Sequence, residues 1–222
     1  MITYIVGPNT FVAHGALQEI IQNTQGPERY DAEQLQPTQL PELLQGQTLF
    51  ASERVVIIKQ LSNNQAVWRA LEPWIARVPD ETHLVLLEQS PDKRTKTHKQ
   101  LMEHAVVIAA EDINEAQAVD WVRQEAQRMG LEIALDEARF LVERIGANQW
   151  QLQFSVQSLA LTGSSSKAAI EEATVALPQA NAFATLDAAL TGKADALHAL
   201  LRQVIAQEDP YRFFGLLSQQ IF

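Results

Sequence analysis

Short apolar runs alternate with helical patterns over the first 110 residues. The runs at 2–6, 55–58, 84–87 and 105–108 are only four or five residues long, which is typical of strands in a parallel sheet, and the runs from 55 onward read as strands buried on both faces. Helical patterns lie between them, at 39–45 and 63–77 and in a helix that Asn9 or Thr10 caps. Strand–helix alternation of this kind predicts a doubly wound α/β domain over residues 1–110.

From Glu111 onward the pattern predicts helices only. Three helices and a short fourth, with stops at Gly130 and Gly146, predict a small helical domain over 111–178. Two further helices are expected over 179–222, separated by a break at 208–210. Two helices ending on an apolar face cannot close a bundle. We therefore interpret 179–222 as the first helices of a third, truncated domain.

Composition and charge narrow the function classes. The 222 residues carry a net charge of −10 and contain no Cys, which excludes disulfides and thiolate metal sites. Apolar runs fall far short of the roughly 20 residues that span a bilayer. We expect a cytoplasmic protein. An acidic chain is also expected to bind nucleic acid poorly by itself, because such binding depends on many cationic contacts with phosphates.

The turn after the first strand stands where a nucleotide-binding α/β protein has its phosphate loop. It reads Gly7-Pro8-Asn9-Thr10, without the Gly-Lys-Thr that holds phosphates and Mg²⁺. Lys59-Gln60 follows the strand at 55–58, where a metal-binding Asp-Glu pair is expected. Both halves of an ATP site are missing, which indicates a nucleotide-hydrolase scaffold without the hydrolase.

Other catalytic constellations are not apparent either. The five histidines have no spacing that places two metal ligands on one helix face. The serines at 164–166 lack the flanking glycines of a hydrolase nucleophile. We expect no intrinsic catalysis, no cofactor and no metal.

Two surface features remain. The first is a cluster of cationic residues after the strand at 84–87, which is interpreted either as a solvated helix start or as a binding patch: Lys93, Arg94, Lys96 and Lys99. The stretch 45–52 carries Leu49 and Phe50 just before a buried strand. On physical grounds such a pair is more often core. The alternative is an exposed apolar plug that enters a partner's pocket.

The order and spacing of these segments resemble the delta subunit of the bacterial DNA polymerase III clamp loader. Residues 4–12 are similar to that family's first strand and degenerate phosphate loop, and 45–59 to its Leu-Phe-Ser-Glu-Arg signature followed by an apolar strand. The stretch 92–96 is similar to another family segment, as are pieces of 130–161 and 181–220. The resemblance covers the whole chain, in the order and spacing of these segments.

The resemblance implies an AAA+ fold in three domains: the α/β domain, a helical lid and a helical collar. It implies a subunit that does not hydrolyse ATP, binds the sliding clamp and opens its ring for loading onto primed DNA during replication. The clamp-binding residues would be Leu49 and Phe50, flanked by Gln45, Gln47, Thr48, Ala51 and Ser52. The implied partners are the clamp, the gamma/tau and delta prime subunits, and primed DNA within the complex.

Two alternatives stay open. One is a degenerate AAA+ module that binds nucleic acid through the cationic cluster, or another protein, without opening a clamp. A weaker one is a nucleotide-dependent enzyme with an unusual phosphate site.

Overall fold

The computed structural model describes residues 1–22, 24, 26–46, 54–176, 178–207 and 209–221. The chain forms two compact units, Met1–Asp112 and Ile113–Phe222. The first contains a parallel sheet covered by helices, and the second is helical where it is described. The predicted α/β plus all-α class is confirmed. The further division into lid and collar at residue 178 stays a prediction.

The described part of the first unit has five strands in one sheet. They are β1 (Ile2–Val6), β2 (Glu28–Asp31), β3 (Arg54–Lys59), β4 (Thr82–Glu88) and β5 (Val106–Ala109). Their order across the sheet is β2-β3-β4-β1-β5, and all neighbours are parallel. The central strands β3 and β4 are buried on both faces, as their unbroken apolar runs predict.

Both edge strands differ from the sequence expectation. The β2 strand, Glu-Arg-Tyr-Asp, was not predicted, because an edge strand that faces solvent needs no apolar run. The β5 strand was expected to be buried on both faces, yet Val106 is 57% exposed. Among the described strands, β5 pairs only with β1, so no described strand lies along its other edge.

Helices cover both faces of the sheet. The helix α1 (Thr10–Ile21) packs on the face that carries Val55 and Ile57. The opposite face, with Val56 and Ile58, packs against α2 (Leu40–Gln45), α3 (Gln65–Leu71) and α4 (Lys96–His104). The predicted helix over 63–77 is α-helical only to Leu71 and continues as a 3-10 helix, Glu72–Arg77, which has Pro73 in its first turn.

The second unit begins with four helices around one core. They are α5 (Glu115–Arg128), α6 (Leu135–Ile145), α7 (Gln149–Thr162) and α8 (Lys167–Ala173). Val122, Leu141 and Leu152 are among the fully or almost fully buried residues of that core. Gly130 and Gly146 follow the predicted helix ends with positive φ, 74° and 81°.

Three helices follow instead of the two expected: α9 (Pro178–Leu190), α10 (Ala194–Gln207) and α11 (Pro210–Ile221). The additional break lies at Gly192, whose φ of 68° is left-handed, and the Lys193 amide donates back to the Ala188 carbonyl. No helix in the described part of the chain is long and apolar enough to cross a bilayer.

Candidate functional site

The end of helix α2 is held against the sheet by apolar burial. Leu40, Leu43 and Leu44 are almost completely buried and pack in the core beneath the sheet. Gly46 caps the helix, and its amide donates to the Glu42 carbonyl at 2.8 Å. A Cβ on Gly46 would lie 2.4 Å from that carbonyl oxygen and 3.1 Å from Nη1 of Arg54. The close approach of these groups therefore requires glycine at this position.

Arg54, the first residue of β3, ties the end of α2 to strand β2. Its Nη1 donates to the carbonyls of Leu43 at 2.7 Å and Gly46 at 3.3 Å. Its Nε and Nη2 donate to the two carboxylate oxygens of Glu28, both at 2.6 Å. The side chain is 13% exposed. One guanidinium thus satisfies carbonyls that a helix end leaves without partners and forms a bidentate ion pair.

Tyr30 completes this network. Its hydroxyl donates to Oε2 of Glu28 at 2.7 Å. The hydrogen bonds from Arg54 lower the pKa of Glu28, although partial burial acts in the opposite direction. The same network raises the pKa of Tyr30 and of Arg54, each mainly through its bond to Glu28. The carboxylate is therefore charged and the phenol and guanidinium are protonated at neutral pH.

In the sequence, the predicted clamp-binding residues run from Gln45 to Ser52 and so precede Arg54. Gln45 is the exposed last residue of α2. Gln47, Thr48, Leu49, Phe50, Ala51 and Ser52 lie outside the described residues. Sequence reasoning gave no role to Glu28 or to the Arg54 side chain. The position of Arg54 directly before an apolar strand could have indicated that its side chain has a role. Nothing in the sequence marks Glu28, its partner 26 positions earlier.

The turn after β1 uses its backbone amides inside the fold. The Gly7 amide donates to the Glu88 carbonyl at 2.9 Å, and the Asn9 amide donates to the Ala110 carbonyl at 2.8 Å. The Asn9 side chain accepts from the Val12 amide at 3.1 Å and caps α1. A Cβ on Gly7, whose φ is 140°, would lie 2.1 Å from the Ala110 oxygen. The turn is thus packed directly against the chain that follows β5.

The end of β3 carries Lys59, which is exposed, and Gln60, which adopts a left-handed φ of 53°. A buried acid that sequence reasoning missed lies on the adjacent strand. Glu88 accepts from the amide of Ser62 at 3.2 Å and from its hydroxyl. Burial raises the pKa of Glu88, and the bonds from Ser62 act against that rise. Glu88 thereby fixes the turn after β3.

The predicted cationic cluster lies at the start of α4. Thr95 caps this helix, and Thr97, His98 and Leu101 form its buried face. The four cations are exposed: Lys93, Arg94, Lys96 and Lys99. Arg94 is paired with its neighbour Asp92 at 2.9 Å, and the bond from Arg94 lowers the pKa of Asp92 to about 2. Part of the charge is therefore neutralised within the cluster.

Comparisons with known proteins agree with this architecture. Residues 4–111 match the family "DNA polymerase III, delta subunit". The Bacillus subtilis DNA clamp loader delta protein YqeN has a similar structure, with a TM-score of 0.68, 17% identity, and coverage of 99% of this chain and 71% of that chain. A proline-to-glycine mutant of Thermotoga maritima RuvB has a TM-score of 0.50 at 11% identity, covering 99% of this chain and 81% of that chain. No curated protein sequence matches the chain.

The fold is therefore an α/β sheet domain of the AAA+ kind followed by helices. Within that class, residues 4–111 resemble the delta subunit of DNA polymerase III, and the whole chain has a fold similar to that of a clamp loader delta protein.

Proposed function

We propose that this chain is the clamp-binding subunit of a clamp loader, which holds the sliding clamp in an opened form so that the ring can be placed on primed DNA. The observation that carries the proposal is the delta-family match over residues 4–111, which includes the whole segment from Gln45 to Ser52. Arg54, two positions after that segment, donates to the Gly46 carbonyl and to the Glu28 carboxylate, and this fixed point beside the segment supports the proposal.

Leu49 and Phe50 are the proposed anchors, with the flanking residues shaping the contact. Large apolar side chains that enter a partner's pocket supply most of the binding energy of such interfaces, on the order of 2 kcal/mol or more each. In this proposal the apolar pair is directed at the clamp and not at the core of its own unit.

The chain has no catalytic role in this proposal. It belongs by association to a nucleotidyltransferase, the DNA polymerase III holoenzyme, and acts in the cytoplasm at the replisome. Its further partners are the gamma/tau and delta prime subunits, and it contacts primed DNA only within the complex. The bonded amides at Gly7 and Asn9 and the missing N–H of Pro8 support a turn that does not bind nucleotide.

The test is clamp affinity after removal of the two anchors. The double variant Leu49→Ala, Phe50→Ala is expected to weaken binding to the purified clamp at least a hundredfold, since two hot-spot side chains are lost. The matched control is Phe154→Ala, Leu161→Ala on α7, whose side chains are 67% and 89% exposed. The control should bind as the unchanged chain does. Equal affinity of the anchor variant and the unchanged chain would contradict the proposal.

The exposed cations at the start of α4 favour a second candidate, a module that binds nucleic acid by itself. The net charge of −10 and the Arg94–Asp92 pair weigh against it, because binding strength follows the number of phosphate contacts.

A further inference from the structure

The outer edge of strand β2 is open in the described part of the chain. Among the described strands, β2 pairs only with β3, through the residues from Val56 to Lys59. An edge strand presents a row of unpaired N–H and C=O groups on its outer side. No main-chain group of the described residues outside the sheet bonds to Glu28–Asp31. This edge can therefore accept a further strand.

Two opposite charges stand on one face of this edge. Arg29 and Asp31 are exposed and alternate along β2 with Glu28 and Tyr30, which are partly buried on the other face. A cavity of about 490 Å³ on the exposed face is lined by both side chains together with Ile57. Neither charge forms an ion pair within the described part of the chain. Both charges are therefore available to a partner.

The order of these charges makes the edge complementary to itself. When two copies of β2 lie antiparallel with Tyr30 at the two-fold axis, Arg29 of each copy stands opposite the partner's Asp31 on the same face of the joined sheet. One contact thus produces two opposite-charge pairs, which stabilise antiparallel strands.

Other registers of the two strands are unfavourable. Sliding one strand by two residues brings Arg29 opposite the partner's Arg29, or Asp31 opposite the partner's Asp31, so that like charges meet. Sliding it by one residue places the exposed face of one copy on the same side as the core face of the other. The four residues of β2 therefore select a single antiparallel register.

Charged side chains on an edge strand ordinarily prevent pairing, as lysines do when they repel their own copies. The alternating signs on β2 instead attract a second copy in the register described. The net charge of −10 opposes association elsewhere on the surface, which leaves a matched edge as the favourable point of contact. A contact based on one short strand buries far less than the roughly 1,200 Å² of a stable interface, so the dimer is weak, with a dissociation constant above about 1 μM.

We propose that β2 is a self-association edge, at which a second copy of this chain adds its own β2 in antiparallel orientation. The two five-stranded sheets then become one. The contact is held by main-chain hydrogen bonds and by the two pairs between Arg29 and the partner's Asp31. It goes beyond the proposed function and does not depend on clamp binding.

The experiment measures self-association of the whole chain by sedimentation equilibrium, from about 1 μM to about 1 mM protein. The unchanged chain should dimerise within this range. Arg29→Asp and Asp31→Arg each bring like charges together at both symmetry-related positions, so each should dimerise at least about tenfold more weakly. The exchanged variant that carries both substitutions should dimerise as the unchanged chain does, because the same pairs form with opposite polarity. An equimolar mixture of the two single variants should form a mixed dimer.

Two control variants separate this contact from net charge and from folding. Lys99→Asp, at an exposed residue of α4, changes the net charge by the same amount as Arg29→Asp and should dimerise normally. Asp31→Asn keeps a side-chain oxygen that can accept from the Glu33 amide, as Oδ1 of Asp31 does at 3.0 Å. It should weaken the dimer without lowering the unfolding temperature. Hydrogen exchange at the amides of Glu28–Asp31 should slow as the protein concentration rises.

Several results would overturn the inference. They are a monomer at every concentration, a dimer that neither single charge reversal weakens, an equal loss in Lys99→Asp, or amides of β2 whose exchange does not slow on dimerisation. A folded exchanged variant that stays monomeric would do the same. If that variant does not fold, Arg29→Asp and Asp31→Asn decide the matter, because both must weaken the dimer.

Discussion

A buried hydrogen bond of 2.9 Å joins the Tyr4 hydroxyl on β1 to Nδ1 of His98 on α4, and the two rings meet edge to face. Burial, and to a lesser extent the charge of Glu88, raises the pKa of Tyr4. Burial, followed by the nearby charge of Lys93, lowers the pKa of His98. Both groups are therefore neutral at pH 7, and the contact joins α4 to the central sheet without a buried charge.

This contact predicts how stability depends on pH. The unfolded chain takes up a proton at His98 more readily than the folded chain, so the free energy of unfolding falls as pH drops below the ordinary histidine pKa of about 6.5. The fall from this group ends below its lowered pKa in the folded state. His98→Gln removes the titration and should make the decline between pH 7 and 5 shallower in denaturant unfolding. His104→Gln, at an exposed residue of the same helix, is the control substitution. Identical declines in the unchanged chain and His98→Gln would contradict the prediction.

Alanine substitutions at Gly7 and Gly15 are predicted to have opposite effects on stability, because only Gly7 is closely packed. Gly7→Ala places a Cβ 2.1 Å from the Ala110 oxygen at a φ of 140°. We expect it to lower the free energy of unfolding by about 3 kcal/mol, since strain and overpacking combine. Gly15→Ala meets no atom within 4 Å in the interior of α1 and should raise it by about 0.5–1 kcal/mol. A stable Gly7→Ala variant would show that the turn can move away from Ala110.

Sequence reasoning recovered the elements that are decided by local pattern. The apolar runs of β1, β3 and β4 were predicted and are confirmed, and of the two residues predicted as possible caps of α1, Asn9 is the cap. The β2 strand was missed because Glu28–Asp31 is an edge strand without an apolar run, so its pairing with β3 is set by tertiary structure. The Glu28–Arg54 pair was missed with it, since no periodicity links two residues 26 positions apart. The predicted anchors Leu49 and Phe50 stay predictions.

The isolated chain is predicted to bind DNA only weakly, despite the cations at the start of α4. With a net charge of −10 and Arg94 already paired, the isolated chain should bind primed DNA with a dissociation constant above about 10⁻⁴ M at physiological salt. Lys93→Glu with Lys96→Glu should change that weak binding little. The control is Lys193→Glu in the second unit. The Nζ of this lysine lies 3.6 Å from Oδ2 of Asp187. Tight binding with a steep salt dependence, lost only in the α4 variant, would favour the nucleic-acid module instead.

The bonded amides of the first turn predict the response to ATP. A phosphate loop binds through N–H groups that point at the ligand, but those of Gly7 and Asn9 donate to Glu88 and Ala110. Calorimetry with ATP and Mg²⁺ should therefore detect no binding at millimolar nucleotide. The variant Pro8→Gly, which restores the missing N–H, should not bind either, because the two neighbouring amides remain engaged. Binding by Pro8→Gly alone would show that the proline is the obstacle and the bonded amides are not. Binding by the unchanged chain would revive a nucleotide-dependent function for this turn.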